Sequence, residues 1–362
     1  MKKIDWYILK NLITTFFFSL LLLLFITIVI DISEKADDFE NSGLTAIQII
    51  RQYYFGFIPH ISAMLFPLFV FIAVIFFTSK MAGRSEVIAV LASGTSFNRF
   101  LRPFLLSGFV LAGILWLANR YVVPKANEIF SAFQSNYIDT RSTYDPLVNR
   151  RSNLYIRIDS FRYAGVNYDT ASKRGSGFFM QHVNGNKMDY NLRAETIRWD
   201  SAGKKWMLDN VIERWIDGLN EKVVMTPAKT MDFNFKPFDL KRDKYAKDRL
   251  ITPELDQFIK LEELRGSEGL NALKVERYRR DATPASVILL TLIGAVVASR
   301  KVRGGSGVHL AISFITAALF ILTDRFSTIF STKGSLPPLI AAWAPNIIFS
   351  FVALWFYKKA PK

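Results

Sequence analysis

The sequence predicts an α-helical membrane protein with an antiparallel β domain inserted in its middle. Three observations carry that reading. Apolar residues come in blocks: 51% of the 362 residues are hydrophobic, 32 of the total are Phe, and they gather into six runs. A bilayer is crossed by roughly 20 residues of helix, and most of the runs reach that length. Between the third and fourth runs the pattern shortens to strand-like pieces separated by turn residues. Charge is also divided. The chain carries +15, yet residues 124–282 hold 28 of its 46 basic and 23 of its 31 acidic residues. The basic excess therefore belongs mostly to the membrane parts, where it points to orientation and anionic lipid rather than to nucleic acid.

Met1–Lys10 is short and basic, with Lys2, Lys3 and Lys10, and the apolar run Asn11–Ile30 follows. No small-residue cleavage pattern closes that run. Asp31-Ile32-Ser33-Glu34-Lys35-Ala36-Asp37-Asp38 comes instead, so it reads as a retained first membrane helix. The acidic stretch Asp31–Tyr54 contains an amphipathic piece around Ala46–Tyr53. The second run, Phe55–Phe77, holds Pro59 and Pro67, which imply a kink whose freed carbonyls neighbours satisfy. The third, Phe104–Val123, ends near Pro124. Between these two runs lies Gly83–Ser96. Glu86 suits a helix N-terminus, Val87, Val90 and Leu91 fall at helical spacing, and Gly94 offers a stop. The pattern predicts a short helix at the membrane surface, with an apolar strip to offer a partner. A solvated turn with interfacial residues is the plainer alternative.

Past Pro124, Tyr155, Ile156 and Ile158 are strand-like, as are Phe178–Val183, Leu192–Trp199, Trp206–Ile216 and Met231–Phe235. Asn184-Gly185-Asn186, Ser201-Ala202-Gly203 and Asp217-Gly218 supply the turns. That spacing suggests an antiparallel sandwich or jelly roll. Thr252-Pro253-Glu254-Leu255 starts a helix with proline in its first turn, and Leu270–Arg280 leads back to the membrane. Ala285–Ser299, Val308–Leu322 and Leu339–Tyr357 close the chain; the first is short unless Thr283 and Pro284 lie inside the bilayer. The predicted domains are residues 1–123, three helices with the surface helix at about 83–96; 124–250, the β domain; 251–282, a helical connector; and 283–362, three more helices.

Short-loop charge sets the orientation. Lys2, Lys3 and Lys10, then Lys80, Arg84, Arg99 and Arg102, then Arg300, Lys301 and Arg303, then Lys358, Lys359 and Lys362 fall at one set of ends, against only Asp5 and Glu86. The positive-inside rule places this side, with both termini and the 83–96 loop, in the cytosol and the β domain outside.

Sites for chemistry are missing. There is no GxxxxGK[ST] phosphate loop, HExxH or GxSxG, and Gly304-Gly305-Ser306-Gly307 reads as a tight turn. The chain has no cysteine, and His60, His182 and His309 are scattered, so neither a metal site nor a cofactor nor a catalytic residue is expected. Asp37-Asp38 and Glu262-Glu263 read as solvated faces. What remains is a ring of basic or polar residues near the outer helix ends: Lys35, Arg51, His60, Arg120, Arg277, Arg280, Arg325 and Lys333, with Asp324 placed to pair with Arg325. Each alone is explained by interfacial snorkelling. As a ring they could bind anionic headgroups.

Arg84-Ser85-Glu86 followed by Ala92-Ser93-Gly94, the tail Leu339-Ile340-Ala341-Ala342-Trp343-Ala344-Pro345-Asn346, and the order of three helices, external β domain and three helices resemble the LptF/LptG (YjgP/YjgQ) family of lipopolysaccharide export permeases. Thr252-Pro253-Glu254-Leu255 resembles that family's approach to the fourth span, and the Arg-Ser-Glu and Ala-Ser-Gly wording is closer to the LptG type than to LptF. The resemblance covers essentially the whole chain. It implies a half-transporter in the inner membrane of a Gram-negative cell, with its jelly-roll domain in the periplasm. Two such permeases, F and G, would sit on a dimeric LptB-type ATPase. Gly83–Ser96 would be the coupling helix, with Arg84, Ser85, Glu86, Val87, Val90 and Leu91 at the contact and Glu86 as its main polar group. The first and fifth helices would face a lateral lipid gate, and lipid A phosphates would meet Lys35, Arg51, His60, Arg120 and Arg325. The β domain would hand lipopolysaccharide to LptC- and LptA-type proteins. Where the family often has lysine just after the first helix, this chain has Asp31 and Glu34, with Lys35 as a substitute, and His60 stands where a lysine is common.

A rival reading is a membrane-anchored periplasmic scaffold or interaction protein without transport activity, using the β domain only to bind proteins. Six helices and a basic outer rim are more than an anchor needs. A lipid-modifying enzyme would need a nucleophile or metal constellation that the sequence does not offer.

Overall fold

The computed structural model describes residues 3–138, 151–169, 172, 174–185, 187–201, 203–237, 245–265, 269–300 and 306–360. Met1, Lys2, Asn186, Ala202, Lys301, Arg303, Gly304, Gly305 and Lys362, invoked above, lie outside the described residues. The chain forms two compact units. One is helical (Met1–Gln134, Lys247–Leu255 and Asn271–Lys362); the other holds the sheet (Ser135–Ala246 and Asp256–Leu270).

In chain order the helices are α1 (Lys3–Glu34), α2 (Ala36–Asn41), α3 (Ala46–Ile49), α4 (Phe55–Gly83), α5 (Glu86–Ala92), α6 (Phe97–Leu117) and α7 (Val123–Phe133). After the sheet come α8 (Ala246–Arg249), α9 (Thr252–Arg265), α10 (Leu270–Ala298), α11 (Ser306–Thr332) and α12 (Pro338–Lys359). Among the described residues six helical stretches are long and apolar enough to cross a membrane, and each overlaps one of the six runs of the sequence. α4 and α10 lie at the centre, where Val70, Ala73, Val74, Val287, Ala295 and Val296 are buried together. α1 hides one stripe at helical spacing, Ile8, Leu12 and Phe16; beyond it only Leu24 and Asp31 are buried.

Three wide turns mark where the helices deviate from 3.6-residue geometry: Ile50–Tyr54 before α4, Ala118–Val122 between α6 and α7, and Gln134–Ile138 after α7. The second corrects a boundary. The third run does not stop at Pro124 but stays helical to Ile138. Val123 N reaches back five residues to Ala118 O, and Pro124 then occupies the first turn of α7, where its missing N–H costs nothing. Leu270–Arg280 and the fourth run are likewise one helix, α10, with Pro284 inside it. α4 and α7 approach backbone to backbone: a Cβ on Gly56 would fall 2.5 Å from Ala126 O.

The sheet has six strands, β1 (Arg151–Arg157), β2 (Arg162–Asp169), β3 (Arg174–Asn184), β4 (Lys187–Asp200), β5 (Lys205–Asp217) and β6 (Asn220–Met231). Each pairs antiparallel with the next, in the order β1-β2-β3-β4-β5-β6. Gly185 and Gly218, both at φ +61°, make the tight turns after β3 and β5. One face buries Val166, Phe178, Leu192, Ile197, Trp206 and Leu208. Two strands, β2 and β6, are absent from the sequence reading. β2 is polar with a bulge at Gly165/Asn167, and β6 contains Pro227, which suits an edge strand. The run Met231–Phe235, read as a strand, ends the ladder at Met231 and then covers the sheet. Phe233 and Phe235 stack at 5.2 Å over its buried face, and Trp206 Nε1 donates to Phe235 O at 2.9 Å. Its alternating aromatics have one buried side, as in a strand, without ladder partners.

Candidate functional site

The polar contacts of the helical unit gather at its two ends. At one end the chain turns from α4 into α5 on Arg84 and Ser85, and Ser85 takes the left-handed conformation (φ 61°) that bends it sharply. α5 has only seven residues and cannot stand alone. It is held by its apolar side. Val87 is 1% exposed, and Val90 and Leu91 pack against the same core. The strip predicted to meet a partner therefore faces the bundle. The outward side carries Ile88, 51% exposed, with Ala89 and Ala92. Glu86 opens the helix; its Oε2 accepts from the Tyr7 hydroxyl at 3.2 Å, and Arg84 Nη1 lies 3.8 Å from Oε1. Close by, the buried Asp5 carboxylate accepts from Arg99 Nη2 at 2.6 Å. The Tyr357 hydroxyl donates to Asn98, bringing the end of α12 to the start of α6. The sequence counts Asp5 and Arg99 only toward orientation and passes over Tyr7; the signal for a pair is an acid in a basic, apolar N-terminal stretch.

At the far end Asp31 is 7% exposed and takes three donors. Tyr53 and Tyr54 hydroxyls reach its oxygens at 3.0 and 3.1 Å, and Lys35 Nζ lies 2.9 Å away. Lys35 also donates to the Tyr53 hydroxyl and sits over the rings of Tyr53, Phe57 and Phe130 at 4.8, 5.5 and 5.9 Å. An ammonium so placed is satisfied internally by an opposite charge and aromatic faces. An incoming phosphate would have to compete with Asp31 for it. His60 is also engaged: Nδ1 lies 2.7 Å from Asn127 Oδ1, the ring stacks on Phe130, and Asn127 Nδ2 donates to Asp248 O at 2.8 Å. Arg120 lies half-buried over Trp116 and Tyr121, whereas Arg51 and Arg325 are exposed.

The remaining basic residues divide the same way. Arg277 pairs with Asp281, and the buried Arg280 donates to Lys247 O and Thr252. Lys333 is exposed. Asp324 pairs with Arg279 at 2.6 Å, not with Arg325, because adjacent residues on a helix do not face each other. That pair borders a cavity of about 90 Å³ among α4, α10, α11 and α12, lined by Met64, Leu68, Leu290, Phe320, Ala342 and Asn346. Arg325 stands at its edge, with Nη2 3.8 Å from Met64 Sδ. The structure thus groups Lys35 and His60 in one aromatic patch through Phe130, and leaves Arg51, Arg120 and Arg325 apart from it.

Three membrane-length helical stretches before an antiparallel sheet and three after it, with a short helix clasped between the second and third, define a multi-pass membrane protein with an inserted β domain. The chain belongs to the LptF/LptG family: the model of the lipopolysaccharide export system permease LptF/LptG matches residues 6–359. It is also similar to the lipopolysaccharide export system permease protein LptG of two strains of Escherichia coli, at 20% identity over 359 residues, 97% of each chain.

Proposed function

We propose that this protein is one permease subunit of an ABC transporter that extracts lipopolysaccharide from the inner membrane and passes it to LptC- and LptA-type periplasmic proteins. A separate LptB-type ATPase dimer supplies the energy, and a sister LptF/LptG permease completes the cavity. The termini and α5 lie in the cytosol and the sheet in the periplasm, as short-loop charge argues. The observation that carries the reading is α5. It is too short to fold alone, it is joined directly to two spanning helices, and its open side presents Ile88, Ala89 and Ala92 beside Glu86. ATP-driven motion of a docked partner would pass through α5 into packed helices that move as rigid bodies. Lipid A acyl chains fit the exposed apolar sides of α1 and α11, with Arg51, Arg120 and Arg325 as the accessible cations for phosphate.

The test is a pull-down of detergent-solubilised wild type beside Glu86→Arg, with the eluate assayed for ATPase and bound lipopolysaccharide. ATPase recovered with wild type and lost with the variant supports coupling through α5, and bound lipid identifies the cargo. Wild type that brings down no ATPase overturns the proposal in favour of the scaffold.

A further inference from the structure

α1 is 32 residues long, about 48 Å of helix at 1.5 Å per residue. Its first half carries the packed stripe, and Leu24 and the buried Asp31, held by Tyr53 and Tyr54, fix it again near its far end. Ile8, Leu12 and Phe16 are at most 1% exposed, whereas Phe18, Leu21, Phe25 and Ile30 are each more than half exposed. Two polar links join the seated end to the hairpin that carries α5. Tyr7 donates to Glu86, the first residue of α5, and Arg99, in the first turn of α6, donates to Asp5. Both flanks of α5 are therefore tied to one turn of one helix. The Asp5–Arg99 pair is the stronger tie: at 2.6 Å, with the Asp5 side chain 6% exposed, it is little weakened by solvent.

We propose that the first turn of α1 is a latch through which displacement of α5 tilts α1, with Asp5, Arg99 and Tyr7 as positioning residues. The inference rests on the docking role proposed above for α5. The geometry favours a lever. The ties lie at one end of α1 and the Asp31 contacts with Tyr53 and Tyr54 near the other, so a shift of the first turn swings the helix about the Asp31 end. α10 and α4 cannot respond this way, because most of their length is buried. Asp5 is also poorly suited to a purely passive anchor: a carboxylate in an apolar helix end costs stability unless its cation stays in place, so α1 follows Arg99 wherever α6 begins.

The experiment uses the complete transporter reconstituted with lipopolysaccharide in vesicles. Asp5→Asn combined with Arg99→Gln removes both charges without leaving one buried alone. Asp5→Arg combined with Arg99→Asp reverses the pair, and Tyr7→Phe removes the second tie. Three quantities are read: ATPase recovered with the permease, ATP-driven release of lipopolysaccharide, and the ATP-dependent distance between labels at Leu21→Cys and Leu322→Cys. The chain has no cysteine of its own, so within it only those positions report once the partner subunits are supplied without reactive cysteines. The latch predicts normal ATPase recovery in the neutral pair, release reduced about fivefold or more, and a lost distance change. The reversed pair should regain release to within about twofold of wild type. Full release with an unchanged distance response in the neutral pair overturns the latch. Loss of ATPase recovery there also counts against it, since these residues would then serve docking. Glu86→Arg that keeps its ATPase instead sinks the docking role itself, whatever the latch variants do.

Discussion

Glu213 lies in β5 with 6% of its surface exposed, and its carboxylate accepts from Lys229 Nζ at 2.7 Å and from the Tyr190 hydroxyl at 2.6 Å. Burial pushes its pKa up, but hydrogen bonds from Lys229 and Tyr190, with the lysine's charge, outweigh it and hold the carboxyl below its ordinary value. The folded protein thus gives up this proton more readily than the unfolded chain. The network contributes stability above the unfolded pKa of about 4.3, and the contribution is lost as pH falls through the lower folded value. Melts followed by tryptophan fluorescence should show the midpoint of the sheet unit dropping below about pH 4. Glu213→Gln, which keeps the shape but cannot ionise, should flatten that acid limb. Lys229→Met leaves the carboxylate short of a donor and should cost about 1–2 kcal/mol at neutral pH, since the lysine itself is one-third exposed. Equal acid limbs in wild type and Glu213→Gln would refute the assignment.

Two neighbouring residues of α5 should behave oppositely. Val87→Asp places a charge at a position 1% exposed and should reduce folded yield, whereas Ile88→Asp changes a half-exposed side chain and should leave the fold intact while weakening ATPase recovery. Detergent size exclusion beside the pull-down separates the two outcomes. Gly56→Ala should destabilise the α4–α7 contact by about 1–3 kcal/mol, because the new methyl meets backbone rather than a side chain that can yield. Thermal melts in detergent read that loss. Elements with a single strong period were legible from sequence: six apolar runs, α5 from its Glu86 start, and strands dense in aromatics. The side of α5 that meets the core was not, because Val87, Val90 and Leu91 look alike whether they face a bundle or a partner. β2 escaped because its alternating buried residues, Ala164, Val166 and Tyr168, are small or polar-tipped, and β6 because Pro227 interrupts a mostly exposed strand. Asp31 and Lys35 stand four residues apart and were open to a reading by spacing, whereas Arg99, the partner of Asp5, comes from a helix far away in sequence, so no spacing could reveal it.

As a whole the molecule joins two units with different means of support. The helices satisfy their backbone internally, and detergent shields those bonds from water, while the sheet depends on one buried face under Phe233 and Phe235. Urea should therefore unfold the detergent-solubilised protein in two steps, with Trp206 fluorescence changing before helical ellipticity is lost. Coincident transitions would contradict that independence. Within the helical unit, α4 is fastened to α7 at Gly56 and gripped along Val70–Ile75 by the core. Pro59 and Pro67 lie between those fixed points, or at their edge, and each removes a hydrogen bond to the carbonyl four residues back. A rod that lacks cross-ties at two turns has its compliance there. Any flexing of this bundle under load will concentrate in those two turns, leaving the rods on either side straight.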